Sequence, residues 1–417
     1  MDTPQLSAQQ NQALELMLKG ENIFLTGEAG SGKSYVIREF MKKKNKKDYP
    51  ILSSTGMSAV LIGGRTFHSF FGLGIMEGGL EKTVLRALKD KRVIKRLQKA
   101  HGIIIDEISM LDGTTLEAAE IITQKARDFE LLPWGGLQII AVGDFLQLPP
   151  ISKSSRKKWA FQHPIWKYSR LQNVILNENQ RTKNSEFLDI LSTVREGKTN
   201  PPVQKFLDSK IPSTEDAMEN MEATYLYPRR FQTDKHNQQK LNGIDSPLIT
   251  SKSIYLGRDI FIQKLKKAAP VPEEIHLKKD AYIMIRKNDP KGRWVNGSTG
   301  ILKEIQDGVL VVELLNGRVA EIEKATFSML DAEGNEVASV VNFPVTLAYA
   351  TTIHKAQGMT IDRLVVNLKN LWEPGQAYVA LSRVRDPNHL FIQDWTPASI
   401  KADQQVVDFY NTMNELV

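Results

Sequence analysis

The stretch "GEAGSGKS", Gly27 to Ser34, constrains this 417-residue chain more than any other. It satisfies G-x-x-x-x-G-K-[ST], follows the apolar run "NIFLTG" and opens the helical pattern "YVIREFMKK". In that strand-loop-helix setting Gly27, Gly30, Ser31 and Gly32 let backbone N–H groups close around phosphate oxygens at a helix N-terminus. Lys33 then neutralises the terminal phosphates, and Ser34 offers a hydroxyl to Mg2+. The chemistry is that of a nucleoside triphosphate bound with its metal.

Around this unit, short apolar runs alternate with helical patterns, the signature of βαβ units on a parallel sheet. "PILSST", "GIIIDE" and "LQIIAVGD" follow the first run, and from about Asn173 the alternation resumes with "NVIL", "ATYLY", "VTLAYA", "RLVVNL" and "HLFIQD". Between Gln263 and Asn342 the texture changes to strand-like runs broken by Asp-Gly and Asn-Gly, both hairpin signals. A single core rarely grows past about 250 residues. The expectation is therefore an α/β chain with one domain over 1–170, a second over 171–262 and 343–417, and a small β-barrel inserted at 263–342.

Composition narrows the partners. Zero cysteines exclude disulfides and thiolate-bound zinc or iron–sulfur clusters, so a metal must sit on oxygen or histidine ligands. No apolar run approaches the ~20 residues of a membrane span, and the polar start "MDTPQLSAQQNQ" does not read as a secretory signal. A cytoplasmic or nucleoid-associated protein is expected. Lys and Arg outnumber Asp and Glu by 55 to 48, a mild excess that favours a polyanionic partner. The run "KKKNKK", Lys42 to Lys47, reads as a solvated helix end whose lysines complement the dipole; "KSSRKK", Lys153 to Lys158, is similar.

"GIIIDEIS" places Asp106 and Glu107 at the end of a buried strand, where two carboxylates without a cation are costly. A metal resolves that cost: Asp106 would bind Mg2+, and Glu107 would polarise an attacking water. "GDFLQLPP", Gly143 to Pro150, ends another strand, and the Gln147 amide there can sense a γ-phosphate, losing its partner after hydrolysis.

Together with "TGMSAVLIGGRTFHSFFGL", "IIIDEISML", "TTIHKAQGMTID" and "AYVALSRVRD", the "GDFLQLPP" segment resembles the superfamily 1B DNA helicases. The nearest match is the petite integration frequency family, with RecD-like enzymes next. The resemblance implies two tandem RecA-like domains, a Src-homology-three-like barrel, ATP and Mg2+ as cofactors, and 5′-to-3′ travel on single-stranded DNA toward duplex junctions, in a protein that is monomeric when free. By the same resemblance Gln10 reads the adenine edge, Arg181 and Arg383 enter the nucleotide cleft from the second domain, and Gln357 and Gly358 face that cleft. Thr55, Phe67, His68 and Ser69 on the first domain, Thr352, His354 and Lys355 on the second, and Asn296 with Trp294 on the barrel are the implied nucleic-acid contacts. A strand-separating pin would lie at about 67–82, with Met76 as its apolar tip. The competing readings are a nucleic-acid-stimulated ATPase switch without processive unwinding, and a P-loop kinase. The kinase is disfavoured by arginine-bearing motifs arriving from a second α/β domain.

Overall fold

The computed structural model describes residues 6–54, 59, 64–74, 76, 79–150, 159–212, 222–289, 291, 293–306, 308–330 and 335–414; Thr55 and the basic run 153–158 lie outside them. The first sheet contains β1 (Ile23–Gly27), β2 (Ile51–Ser53), β3 (Arg65–Thr66), β4 (Gly102–Asp106), β5 (Gln138–Val142) and β6 (Gln172–Leu176) in the order β3-β2-β4-β5-β1-β6. All its pairings are parallel. Strands β1 and β5 are buried along their whole length, as uninterrupted apolar runs require when helices cover both faces. Alternation sorts the side chains: Ile23 and Leu25 meet Val36 and Phe40 on one face, while Phe24 joins Ile103, Ile105 and Ile139 on the other.

The second parallel sheet contains β7 (Thr224–Tyr227), β18 (Ala350–Thr352), β19 (Leu364–Leu368) and β20 (Leu390–Trp395) in the order β18-β7-β19-β20. Between β7 and β18 the strands pair antiparallel, with the helices Arg230–Asn242 and Asp259–Ala268 among them. Strands β8 (Ile249–Lys252) and β10 (Glu274–Leu277) pair with each other, and β9 (Ile254–Gly257) joins β15 (Ala325–Leu330) and β16 (Glu336–Asn342). The remaining five, β11 (Tyr282–Ile285), β12 (Thr299–Gln306), β13 (Val309–Leu314), β14 (Val319–Glu323) and β17 (Val345–Leu347), form the order β14-β13-β12-β11-β17. The insertion thus spans Ile249 to Leu347, wider than the expected 263–342. The run "VTLAYA" is divided: its first half pairs with β11 and its end with β7.

Two elements belong elsewhere than the alternation suggests. Strand β6 lies beside β1, with Ile23 opposite Gln172 and Gly27 opposite Leu176, so the first sheet runs past residue 170. Periodicity announces a strand but not its sheet. The helix Gln404–Asn414 also returns to the first domain: Val406, Val407, Tyr410 and Met413 are buried in the same core as Phe24 and Phe145. Phe409 stacks on Phe161 at 4.2 Å between ring centroids and meets Phe145 at 5.9 Å.

If that helix completes the first core, Phe409→Ala removes a partly buried ring and should cost about 2–4 kcal/mol. Urea unfolding monitored by tryptophan fluorescence checks this; a midpoint unchanged from the wild type would mean that the helix is only loosely docked.

Candidate active site

The phosphate-type loop leaves β1 and turns through Gly30 and Gly32, both at positive φ (91° and 87°), into the helix Lys33–Lys43. These glycines are required by close approach as well as by φ. A Cβ on Gly30 would lie 2.6 Å from the Cβ of Arg181, and one on Gly32 would lie 2.4 Å from Nε2 of Gln10. Lys33 Nζ donates to the carbonyls of Gly27 (2.7 Å) and Glu28 (3.0 Å). Burial lowers its pKa, against the opposing charges of Asp144 and Glu107. Among the described residues the Ser31 hydroxyl, buried within the loop, has no hydrogen-bond partner, which leaves it able to donate to a phosphate oxygen.

Asp106 ends β4 and accepts from the Glu107 N–H at 3.0 Å. Glu107 follows in the left-handed conformation, φ 53° and ψ 49°, a strain of order 1 kcal/mol that aims its carboxylate across the cleft. Burial, then repulsion from Asp106, pushes Glu107 up to about 7; Lys33, Arg383 and Gln357 oppose the shift. Burial also raises Asp106. Among the described residues no three His, Asp or Glu side chains are grouped to hold a metal unaided. Ser34 and Asp106 would therefore hold Mg2+ only as partial ligands, leaving the rest of its shell to be supplied by phosphate oxygens and water.

From the second domain, Arg181 donates through Nη1 to the Ser382 carbonyl, and Arg383 lies fully buried with Nε on the Val379 carbonyl at 2.7 Å. Burial lowers Arg181 to about 9, with repulsion from Arg383 adding to it, and burial lowers Arg383 to about 10. Lys33, Ser34, Asp106, Glu107, Gln147, Arg181, Gly358 and Arg383 line one cavity of about 290 Å³, joined by Arg38 and Arg385, which motif reading missed. Gln10 stands behind the loop. Its amide completes a capping box with Ser7 and donates to the Ser31 carbonyl at 3.1 Å, so reading a base would require it to exchange those partners.

The segment Thr351 to Thr360 spans two environments. Thr352 caps the short helix Ile353–Ala356, accepting from the Lys355 N–H at 3.2 Å, and His354 and Lys355 are exposed. Packing around the Lys355 ammonium lowers its pKa, aided by Arg230 and Arg286. Two residues on, Gln357 Nε2 donates to Glu107 Oε2 at 3.0 Å. On the first domain, Ser69 is exposed and His68 half-buried, its pKa lowered by burial. Phe67 is a correction: it is fully buried, 4.7 Å from Phe71 between ring centroids, and cannot stack on a base. Met76 is another, since it packs inward on the first core with its sulfur facing Thr115 and is no projecting tip. On the barrel, Trp294 packs against the core and under Arg293, while Asn296 donates its backbone N–H to Asn288 Oδ1 at 2.7 Å.

Sequence reading also missed the pair beneath the cleft. Asp144, fully buried, receives Arg195 through Nη2 (2.8 Å) and Nε (3.2 Å), the Tyr410 hydroxyl (3.2 Å) and the Gln147 amide (3.4 Å). Burial alone would raise Asp144; the charge and hydrogen bonds of Arg195 outweigh it and hold the carboxyl below its ordinary pKa. Tyr378, from the helix Gln376–Leu381, accepts the Ala29 N–H at 2.8 Å. In the sequence Asp144 stands at a strand end in "GDFLQLPP" and Arg195 near the end of the amphipathic run "EFLDILSTVREGK", with nothing local to pair them.

Removing one partner of a buried pair strands the other, so Arg195→Met should destabilise the protein by about 3–5 kcal/mol. Adding Asp144→Asn should recover part of that loss. A double-mutant cycle by urea unfolding measures the coupling, and strictly additive losses would show that the pair carries none.

The model for "PIF1-like helicase" matches residues 5–205, and a second, described as "Helicase", matches 301–408. An ATP-dependent DNA helicase Pif1 of Bdellovibrio bacteriovorus is 49% identical over 99% of this chain and 93% of its own length. The crystal structure of a Bacteroides sp. Pif1 in complex with ADP-AlF4 superposes with TM-score 0.87 at 26% identity, covering 99% of this chain and 98% of that one. A Bacteroides Pif1 bound to ssDNA covers the same shares at TM-score 0.67 and 26% identity. With the nucleotide cleft, both α/β domains and nearly the full length of a close relative in register, the chain belongs to the PIF1-like helicase family.

Proposed function

We propose that this chain is an ATP-dependent DNA helicase that uses Mg2+, moves 5′ to 3′ on single-stranded DNA and separates the duplex ahead. One observation carries the reading furthest: the Gln357–Glu107 hydrogen bond joins the residue we assign to orienting water to a segment whose exposed Lys355 and His354 lie two and three positions away. A strand seated on Lys355 and His354 would be mechanically continuous with the cleft. The same continuity makes hydrolysis responsive to the strand, because differential contact in two states is what couples two sites. The polarity and the strand contacts of Thr352, His68 and Ser69 rest on the family pattern, and Thr55 shares that basis. In the cleft, Lys33 holds phosphate charge, Arg181 and Arg383 meet charge that accumulates during transfer, and Gln147 reports phosphate occupancy to Asp144. ATP-dependent strand displacement on a 5′-tailed duplex tests the whole; ATP hydrolysis stimulated by single strands without displacement would favour a switch.

Lys33→Ala and Glu107→Gln should each reduce ATP turnover by about 10²-fold or more with the fold intact, the first also weakening nucleotide binding. Turnover near wild type in either variant would remove that residue from the site. Gln357→Ala should keep oligo-dT affinity yet lose most DNA stimulation, whereas Lys355→Ala should weaken oligo-dT binding and flatten its salt dependence. Equal behaviour of the two variants would dissolve the coupling.

A further inference from the structure

The lysine run at 42–47 is only partly a helix end. Lys42 and Lys43 close the helix Lys33–Lys43, and Lys42 pairs with Glu39, but Lys46 and Lys47 lie beyond it. They line a separate cavity of about 640 Å³, larger than the nucleotide cleft. The opposite wall is the helix Lys91–Lys99, which contributes Lys95 and Lys99, one turn apart, and Arg96. Arg65 adds to this cationic lining beside the His101 ring, and one carboxylate, Asp48, stands against it. Among the described residues Lys46, Lys47, Lys95 and Lys99 have no ion-pair partner, and all four are exposed.

The floor is built rather than incidental. Arg96, with only 9% of its surface exposed, donates through Nη2 to the Ser69 carbonyl (3.1 Å) and through Nε to that of Phe70, and Arg65 reaches the Ser69 hydroxyl at 3.0 Å. Leu330, at the end of β15, brings the insertion to the rim. The walls at Pro50, Ile51 and His101 belong to the entries of β2 and β4, opposite the carboxyl ends from which Asp106 and the strand-contacting loops emerge. A strand lying across those loops does not fill this cavity.

We propose that this basic pocket holds the phosphate backbone of a second single strand, the one displaced from the duplex. The proposal rests on the helicase reading. The chemistry is that of phosphodiester recognition: several unpaired cations on separate segments, with a cavity that admits a few nucleotides of single strand and not a duplex. Arg65 and Arg96 place it next to Ser69, so the two strands would part on either side of the helix Phe67–Phe71.

The test uses equilibrium binding of the full chain without ATP to oligo-dT, to a duplex with one single-stranded arm and to the same duplex with two. Wild type should prefer two arms. Lys46→Glu/Lys47→Glu and, independently, Lys95→Glu/Lys99→Glu should each weaken two-armed binding about ten-fold and reduce its salt slope, leaving oligo-dT affinity and DNA-stimulated ATPase within about two-fold. A two-arm preference that is absent in wild type, or retained in both variants, overturns the proposal. So does a matching loss of oligo-dT affinity, which would assign the pocket to the tracked strand. Failure of the helicase reading is seen separately, as wild type that binds these substrates but displaces no strand.

Discussion

The contact between Asp144 and Arg195 is the constraint on which the arrangement turns. A carboxylate with no solvent exposure at the end of the first domain's sheet would be untenable alone, and its compensating charge comes from a helix whose apolar face, Phe187, Leu191 and Val194, is built into the second domain. Tyr410 binds the same carboxylate and also Thr26 at 2.7 Å, so strand β1, the residues after β5, the second domain and the final helix share one polar node. Its net contribution to stability need not be large. Its consequence is geometric, because Gln147 touches the node and the nucleotide cavity together.

Around that node the cleft concentrates cations under unfavourable conditions. Lys33, Arg181 and Arg383 all have lowered pKa values, chiefly through burial, and the two arginines lie close enough for Arg383 to act on Arg181. A phosphate bound there would offset both penalties at once. The insertion is tied to the same machinery: Arg286 meets the Met359 sulfur at 3.1 Å, Thr299 donates to Asp362 at 3.3 Å, and Gly297 packs so closely on the Thr360 carbonyl that a Cβ would lie 2.4 Å away. These contacts fall just beyond Gln357 in the chain.

Much of this was legible in the sequence where short-range rules apply. The phosphate loop, the acidic strand end and the Gln147 loop are local signals, and each emerges at the carboxyl end of a buried strand. What could not be read was set by partners distant in the chain. "RTFHSFF" offers aromatics to either a base or a core, and its helical spacing against α-helical neighbours turned Phe67 inward. Strand β6 carries the same pattern whether it joins one sheet or the other; the first sheet's edge beside β1 decided it. Arg195 and Tyr410 are hidden for a plainer reason: each is one polar residue in an amphipathic helix until Asp144 is placed beside it.

The final helix gives the fold an order in time. All six strands of the first sheet have been made by Leu176, yet Phe24, Phe145 and Trp166 await Phe409, which follows the second sheet and the whole insertion. During synthesis the first domain therefore leaves the ribosome with an aromatic face uncovered, the condition in which nascent chains recruit chaperones or aggregate. The helix Gln404–Asn414, made after the second sheet, closes that face and, through Tyr410, supplies a hydrogen bond to the carboxylate beneath the cleft. A ribosome that stops early would release a recognisable phosphate loop on an unfinished core.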